Sequence, residues 1–202
     1  MPAAEYKTAV AEWNKNIGMA SLTLAFLRPP PGDTFVNRLT ARASAHGISH
    51  VELVFDGGLA FSIYFDRPPF LRQRSMANPG YELVSLAVSK QEYRSALQFC
   101  RSAVAEAYAF DHAGMYLSTV HPGWCAHKPS SDLGKTFCSK IIAEALQFAD
   151  VEEVQALCPS SATPSRLYAA VHASQRRVCH NFRAEPQKAL ALTVPLRMGP
   201  II

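Results

Sequence analysis

Four stretches of the chain are rich in apolar residues and bounded by turn residues, and the first of them alternates with polar residues, so all four predict β-strands. They are residues 21–28, 48–55, 59–65 and 81–88. The turn signal Asp56-Gly57-Gly58 joins the second stretch to the third, as in a β-hairpin. Prolines and glycines end the first stretch, and further ones mark residues 66–80 as a loop. We therefore expect a small antiparallel sheet.

Apolar residues at helical spacing predict helices elsewhere in the chain. Ser89 and Glu92 form a capping-box pattern ahead of the clearest helix, in which Cys100 falls on the apolar face. Further helices are predicted at residues 3–16, after Asp33, over residues 138–148 and from Pro164 onward. Together these elements indicate an α+β fold in which helices pack against the sheet. Residues 1–175 are assigned to one domain, and residues 176–202, which lack such a pattern, to a basic C-terminal tail.

The composition is that of a globular domain. Of the 202 residues, 49% are hydrophobic and 18% are charged, which excludes a disordered chain. The net charge of +4 predicts a weak attraction to anionic surfaces, and nucleic-acid binding is the least supported function. Five cysteines without disulfide-framework spacing indicate reduced thiols. With no signal-peptide pattern and no apolar stretch long enough to span a bilayer, the sequence predicts a cytoplasmic protein without a transmembrane segment.

Cys138 stands where a polar stretch gives way to a helical pattern. With Thr136 as the N-cap, its thiol lies in the first helical turn, where free backbone N–H groups and the helix dipole favour a thiolate. Far upstream, His50 opens a predicted strand. A cysteine at a helix N-terminus and a histidine on a strand suffice for a thiol nucleophile and its base. A buried structural cysteine is the alternative interpretation of Cys138.

Four segments resemble the motifs of one superfamily in their order along the chain. Ser49-His50-Val51-Glu52-Leu53 resembles its histidine strand, and residues 108–115 resemble its Tyr-Asp-Phe segment. Residues 136–142, Thr-Phe-Cys-Ser-Lys-Ile-Ile, resemble its aromatic-Cys-Ser-Glu-Leu-Val signature, and residues 163–168 its closing Thr-Pro-x-x-Leu. The superfamily is that of the circularly permuted papain-like amidases of the NlpC type, which includes the lecithin:retinol acyltransferase-like proteins. In permuted members the cysteine helix follows the histidine strand, which is the order found in this chain.

The resemblance implies a permuted papain-like fold whose thiol attacks amide, ester or thioester bonds. It implies that Cys138 is the nucleophile and His50 the base of a thiol hydrolase, such as an amidase or peptidase, or of an acyltransferase. The substrate would be a peptide, an amide or an acyl ester, and no cofactor is implied. The superfamily's third polar residue, on the strand after the histidine, falls at Ser62. Glu52 is the substitute, because residues two apart on a strand share a sheet face.

Two departures from the pattern keep a second hypothesis open. Ser62 is a short side chain with little capacity to orient an imidazole, and Lys140 replaces the usual acidic residue after Cys-Ser. The cation is compatible with an active thiol, because a nearby positive charge lowers a thiol pKa. The alternative is a non-catalytic interaction module that retains the papain-like fold.

Zinc is the remaining chemical candidate. Its ligands would come from Cys125-Ala126-His127 with His121, or from Cys179-His180. Neither group has the paired Cys-x2-Cys spacing typical of structural zinc, so the sequence predicts no metal site.

Overall fold

The central element is a six-stranded antiparallel sheet. The computed structural model describes residues 18–120, 134–174 and 177–178 of the chain. A separate parallel pair is formed by two short strands, β6 (Ala109–Phe110) and β7 (Lys135–Thr136). The sheet has the order β4-β3-β2-β1-β5-β8 and consists of β1 (Met19–Leu27), β2 (His50–Phe55), β3 (Leu59–Ile63), β4 (Pro69–Gln73), β5 (Tyr81–Ser89) and β8 (Arg177–Val178). Because β2 lies inside the sheet, it is buried along its whole length.

Helices complete an α+β fold, as the sequence predicts. They are α1 (Phe35–Ala43), α2 (Lys90–Ala105), α3 (His112–Val120), α4 (Cys138–Phe148), α5 (Glu152–Gln155) and α6 (Pro164–His172). α2 begins with the predicted capping box, in which Ser89 Oγ accepts from the Glu92 N–H and the Glu92 carboxylate accepts from the Ser89 N–H. α6 begins at the predicted Pro164, after Thr163 has capped its first turn.

Alternation along the strands gives the sheet two faces of different chemistry. The face that we call the helical face is apolar and packs against α2 and α4. Leu24, Val51, Leu53 and Phe61 are fully buried on it. The helices contribute buried side chains to it. They are Ala96, Cys100 and Ala103 from α2, of which Cys100 is predicted from the sequence, and the predicted Ile141, Ile142, Ala145 and Leu146 from α4.

We call the opposite side the polar face. Ala25, Val54 and Ala60 form a small apolar cluster on it. Because His50 and Glu52 lie four and two residues before Val54, their side chains point to the same side of β2. Both are buried, so the polar face places ionisable groups inside the protein rather than in solvent.

The parallel strand pair fixes the start of α4. Phe110 of β6 pairs with Thr136 of β7, and the N–H of Asp111 donates to the carbonyl of Thr136 at 2.7 Å. Two residues later the chain enters α4 at Cys138. The buried Lys140 strengthens this junction, because its Nζ donates to the carbonyl of Lys135 at 2.9 Å.

Four strands were missed by the sequence prediction, namely β4 and the two-residue strands β6, β7 and β8. β4 lies within residues 66–80, which were predicted to be a loop because of their prolines. Pro69 is its first residue, and β4 is an edge strand that pairs only with β3 within the described sheet. A proline is compatible with the first position of an edge strand, since the missing N–H is not required there.

The predicted N-cap of α4, Thr136, is wrong. Phe137 is the N-cap of α4, and it makes no side-chain capping bond. Thr136 belongs to β7, and its hydroxyl donates to the carbonyl of Phe137 at 3.4 Å. At α1 the N-cap is Thr34, while Asp33 accepts from the N–H of Thr34 at 2.6 Å.

Several predictions lie outside the described residues. They are the helix at residues 3–16, the zinc candidates His121, Cys125, His127, Cys179 and His180, and most of the tail at 176–202. Of the tail, Arg177 and Val178 form β8, which pairs with β5. Among the described residues, no group of three His, Cys, Asp or Glu side chains is arranged to hold a metal ion.

Candidate functional site

The Cys138 thiol is buried at the first position of α4. Its side chain belongs to the apolar core of the helical face, with 8% of the residue exposed. The backbone N–H of Val51, on β2, and that of Ser139 donate toward the sulfur. α4 therefore carries the thiol to the residue that follows His50 on its strand.

Burial dominates the chemistry of this thiol. Desolvation raises the pKa of Cys138 to about 11, although the N–H groups of Val51 and Ser139 and the Ser139 hydroxyl act in the opposite direction. The resting protein thus holds a neutral thiol. The thiolate predicted from sequence is corrected here, because that argument considered the helix terminus and omitted the loss of hydration.

His50 begins β2 with its imidazole on the polar face. The ring is stacked on Tyr64, with centroids 4.8 Å apart and an angle of 17° between the planes. Its Nε2 lies 3.4 Å from Ser62 Oγ and 3.7 Å from Oε1 of Glu52. Within the described part of the chain the hydrogen-bonding neighbours of the ring are all at Nε2, which leaves Nδ1 as the nitrogen available to take up a proton.

The imidazole is neutral in the resting protein. Burial lowers the pKa of His50 from 6.5 to about 4, because it outweighs the opposing effect of the Glu52 carboxylate, and Arg74 lowers it further. A neutral imidazole is the form that can act as a general base.

Ser62 is placed on β3 beside the ring, but its hydroxyl has another partner. Ser62 Oγ donates to the carbonyl of Val51 at 2.8 Å, which is shorter than its 3.4 Å separation from Nε2 of His50. β2 and β3 pair from Phe55–Leu59 to Leu53–Phe61, and the ladder stops short of Val51. The Ser62 hydroxyl therefore replaces a ladder bond at the point where the two strands separate.

Glu52 is the most tightly held polar group of the site. It is fully buried. Its Oε1 accepts three hydrogen bonds, from Tyr64 Oη at 2.8 Å, Arg74 Nη1 at 2.7 Å and Tyr81 Oη at 2.6 Å. Its Oε2 has no hydrogen-bond donor among the described residues. One oxygen of this carboxylate is thus fully hydrogen-bonded, while the other has no donor among the described residues.

The thiol and the imidazole approach β2 from opposite sides. Cys138 comes from the helical face and reaches the backbone of Val51, whereas the His50 ring lies on the polar face. Among the hydrogen bonds of the described residues, none joins Cys138 Sγ to the His50 ring. Cys138 and His50 therefore both meet β2 near Val51, where β2 and β3 separate. Direct contact between the sulfur and the imidazole stays a prediction.

Three residues that the sequence analysis missed surround this point: Tyr64, Arg74 and Tyr81. Tyr64 could have been found because it lies two residues after Ser62, on the same side of β3. Arg74 and Tyr81 gave no local signal, because Arg74 lies within the predicted loop of residues 66–80, directly after β4, and Tyr81 lies on β5. Sheet pairing alone brings them to Glu52.

The same three side chains line a cavity of about 390 Å³. Its other wall is formed by the end of β1 and the turn before α1, including Leu27, Asp33 and Asn37. This volume is within the range of small-molecule sites in proteins. The cavity thus lies directly against the Glu52 network and one ring away from His50.

Comparison of the chain with models of known protein families gives no match, and comparison with curated proteins gives no relative. No helix among the described residues combines the length and apolar character needed to cross a membrane. The function must therefore be argued from the site itself.

Proposed function

We propose that the protein is a thiol hydrolase or acyltransferase of the permuted papain-like type. Cys138 is the nucleophile, His50 is the base, and a peptide, amide or acyl ester is the substrate. The observation that carries the proposal is that α4 brings the Cys138 thiol to the backbone of Val51, the residue that follows His50. The buried imidazole of His50 has no hydrogen-bond partner at Nδ1 among the described residues.

The chemistry proceeds in two half-reactions. When a carbonyl group binds, the Sγ–H proton passes to Nδ1 of His50, and the sulfur electron pair forms a bond to the carbonyl carbon. The imidazolium then protonates the departing amine or alcohol, which leaves an acyl group on the sulfur. Water or an amine acceptor resolves this thioester, with His50 again removing the proton. The backbone N–H of Cys138, at the start of α4, stabilises the oxyanion.

The Cys138 thiol and the His50 imidazole are both neutral before substrate binds, and this determines when the thiol reacts. A thiol with a pKa of about 11 beside an imidazole with a pKa of about 4 holds its proton in the free protein. Proton transfer must therefore accompany substrate binding, which also tightens contacts that are loose in free enzymes. The cavity lined by Tyr64, Arg74 and Tyr81 receives the part of the substrate next to the scissile bond.

Acyl transfer to the thiol is the direct test. The protein is treated with p-nitrophenyl acetate at neutral pH, quenched in acid, and mapped by peptide mass spectrometry. We expect acetyl-Cys138, none of it in Cys138→Ala, and a fall of at least about a hundredfold in its rate of formation in His50→Asn, as for loss of a general base.

Two other cysteines serve as internal controls. Cys100 is fully buried on α2, and Cys158 is partly exposed, so unassisted acylation should follow exposure and favour Cys158. Labelling of Cys158 ahead of Cys138, or an unchanged rate at Cys138 in His50→Asn, would contradict the proposal.

A non-catalytic interaction module is the second candidate. The neutral, buried thiol and the lack of a hydrogen bond between it and the His50 ring among the described residues favour this reading. If the folded protein forms no acetyl-Cys138 with p-nitrophenyl acetate, the non-catalytic interaction module is the better hypothesis. In that case Cys138→Ala would cost about 1 kcal/mol of stability and no function, as expected for a small change in a core side chain.

A further inference from the structure

The Glu52 carboxylate has an unequal hydrogen-bond arrangement. Its Oε1 accepts from Tyr64, Arg74 and Tyr81, while its Oε2 has no donor among the described residues although the residue is fully buried. A buried carboxylate oxygen without a donor is costly, so an unpaired one calls for an explanation. Besides Arg74, which lies 2.7 Å from Oε1, His50 is close to this carboxylate, because its Nε2 lies 3.7 Å from Oε1.

We propose that Oε2 of Glu52 is the acceptor reserved for the Nε2–H of the His50 imidazolium, and that Arg74 and Tyr81 position the carboxylate for this role. The inference rests on the proposed function. When Nδ1 takes the Cys138 proton, the ring becomes a cation that bears N–H groups on both nitrogens. Its Nε2–H then faces a carboxylate that already lies 3.7 Å away at Oε1 and has an unoccupied second oxygen, so the ion pair is stabilised as it forms. Glu52, rather than Ser62, then supplies the electrostatic support of the base.

The contacts of Ser62 argue against the same role for its hydroxyl. Its proton is used at 2.8 Å by the carbonyl of Val51, so the oxygen offers Nε2 only a lone pair at 3.4 Å. A neutral hydroxyl also stabilises a buried cation less than a carboxylate does. The Ser62 hydroxyl therefore links β3 to β2 where their ladder ends, and the Glu52 carboxylate is the group that faces the positive charge of the His50 imidazolium.

The groups that face this pair come from every neighbouring element. The polar and titratable groups are Ser62 on β3, Tyr64 after β3, Arg74 after β4, Tyr81 on β5 and the Cys138 thiol of α4, which lies beyond Val51. β1 contributes the apolar side chains of Ala25 and Leu27. Arg74 is the one fixed cation among them. It lies 2.7 Å from Oε1 and over the Tyr64 ring at 5.5 Å, so it anchors the far side of the carboxylate.

The experiment titrates His50 by NMR of the imidazole in the full-length protein and measures acetylation of Cys138 in the same variants. Glu52→Gln should lower the pKa of His50 below that of the wild type and slow acetylation at least about tenfold, as for loss of a group that stabilises an imidazolium. Ser62→Ala should leave the pKa unchanged and slow acetylation by less than about threefold, since it removes no charge.

Glu82→Gln is the matched control. Glu82 is also a carboxylate held by an arginine and a tyrosine, since it accepts from Arg28 Nη2 at 2.8 Å and Tyr168 Oη at 2.6 Å, but it is not a neighbour of His50. It should change neither readout. If Glu52→Gln fails to fold, Glu52→Asp keeps the charge but draws the oxygens away from the ring, and it should give a smaller decrease in both quantities.

The two proposals fail in different ways. An unchanged His50 pKa in Glu52→Gln or Glu52→Asp, or a larger effect in Ser62→Ala, would overturn the role of Glu52 whatever the activity. A wild-type protein that forms no acetyl-Cys138 would overturn the proposed function, and the titration would then decide by itself whether Glu52 is the counter-ion of His50.

Discussion

Leu53 and Glu52 are neighbours on β2 and both are fully buried, but they face different surroundings. Leu53 enters the helical face, among aliphatic and aromatic side chains of β1, β3 and α4. Glu52 enters the polar face, where an arginine and two tyrosines hold one of its oxygens. The helical face is stabilised by non-directional burial, and the polar face by a few specific hydrogen bonds. The comparison shows how one strand can anchor the core and carry an ionisable site at the same time.

Leu53→Ala should have the largest effect on stability. Removing a fully buried leucine from close packing costs about 4 kcal/mol of unfolding free energy, through lost transfer energy and a cavity. Urea denaturation followed by circular dichroism measures this change. Val54→Ala, at a nearby site on the polar face, is the matched control and should cost less. Equal losses would show that the two faces are packed alike.

Acidification should weaken the polar face and leave the helical face unaffected. The pKa of His50 is lowered from 6.5 to about 4 on folding, so the unfolded chain takes up a proton first as the pH falls. Stability from this residue is therefore lost between about pH 6.5 and pH 4, by up to about 3 kcal/mol.

His50→Asn isolates this contribution. The wild type should lose more stability than the variant over that pH interval, in urea melts at matched ionic strength. Parallel pH profiles for wild type and His50→Asn would refute the assignment of a buried neutral imidazole.

The smallest predicted effect concerns a polar pair remote from the site. Thr23 Oγ1 and Ser85 Oγ lie 2.7 Å apart across β1 and β5. Thr23→Val or Ser85→Ala alone should cost about 1 kcal/mol, because each leaves a partly buried hydroxyl without its partner. The double variant should recover part of this loss, as a double-mutant cycle from thermal melts would show. Additive losses would mean that the hydroxyls are not coupled.

The sequence predicts the helical face better than the polar face, for a physical reason. The periodicity of apolar residues indicates which side chains are buried. The sequence therefore predicts β1, β2, β5 and α4 close to their observed bounds, and it also predicts the buried side of α4. The capping box at Ser89 and the proline at Pro164 act within one turn, so they locate helix starts. Each of these signals is local in the chain.

The polar face depends on contacts that no local pattern encodes. Glu52 is buried only because Tyr64, Arg74 and Tyr81 reach it from three other parts of the sheet. The neutral state of Cys138 depends on a core that surrounds the start of α4, which a helix-terminus argument does not contain. The position of Ser62 near His50 was predictable by counting through the turn, whereas its bond to the Val51 carbonyl was not.

The order of elements along the chain has a consequence for synthesis. His50, Glu52, Arg74 and the strands β1–β5 are all translated before α4, which brings the thiol. Because ribosomes release the chain from its N-terminus, the carboxylate network can assemble while Cys138 is still within the ribosome or not yet made. We expect nascent chains stalled before α4 to show no acylating activity toward p-nitrophenyl acetate, with activity appearing only once α4 has emerged. With this order of elements, the proposed nucleophile is added only after the five strands β1–β5 have been made.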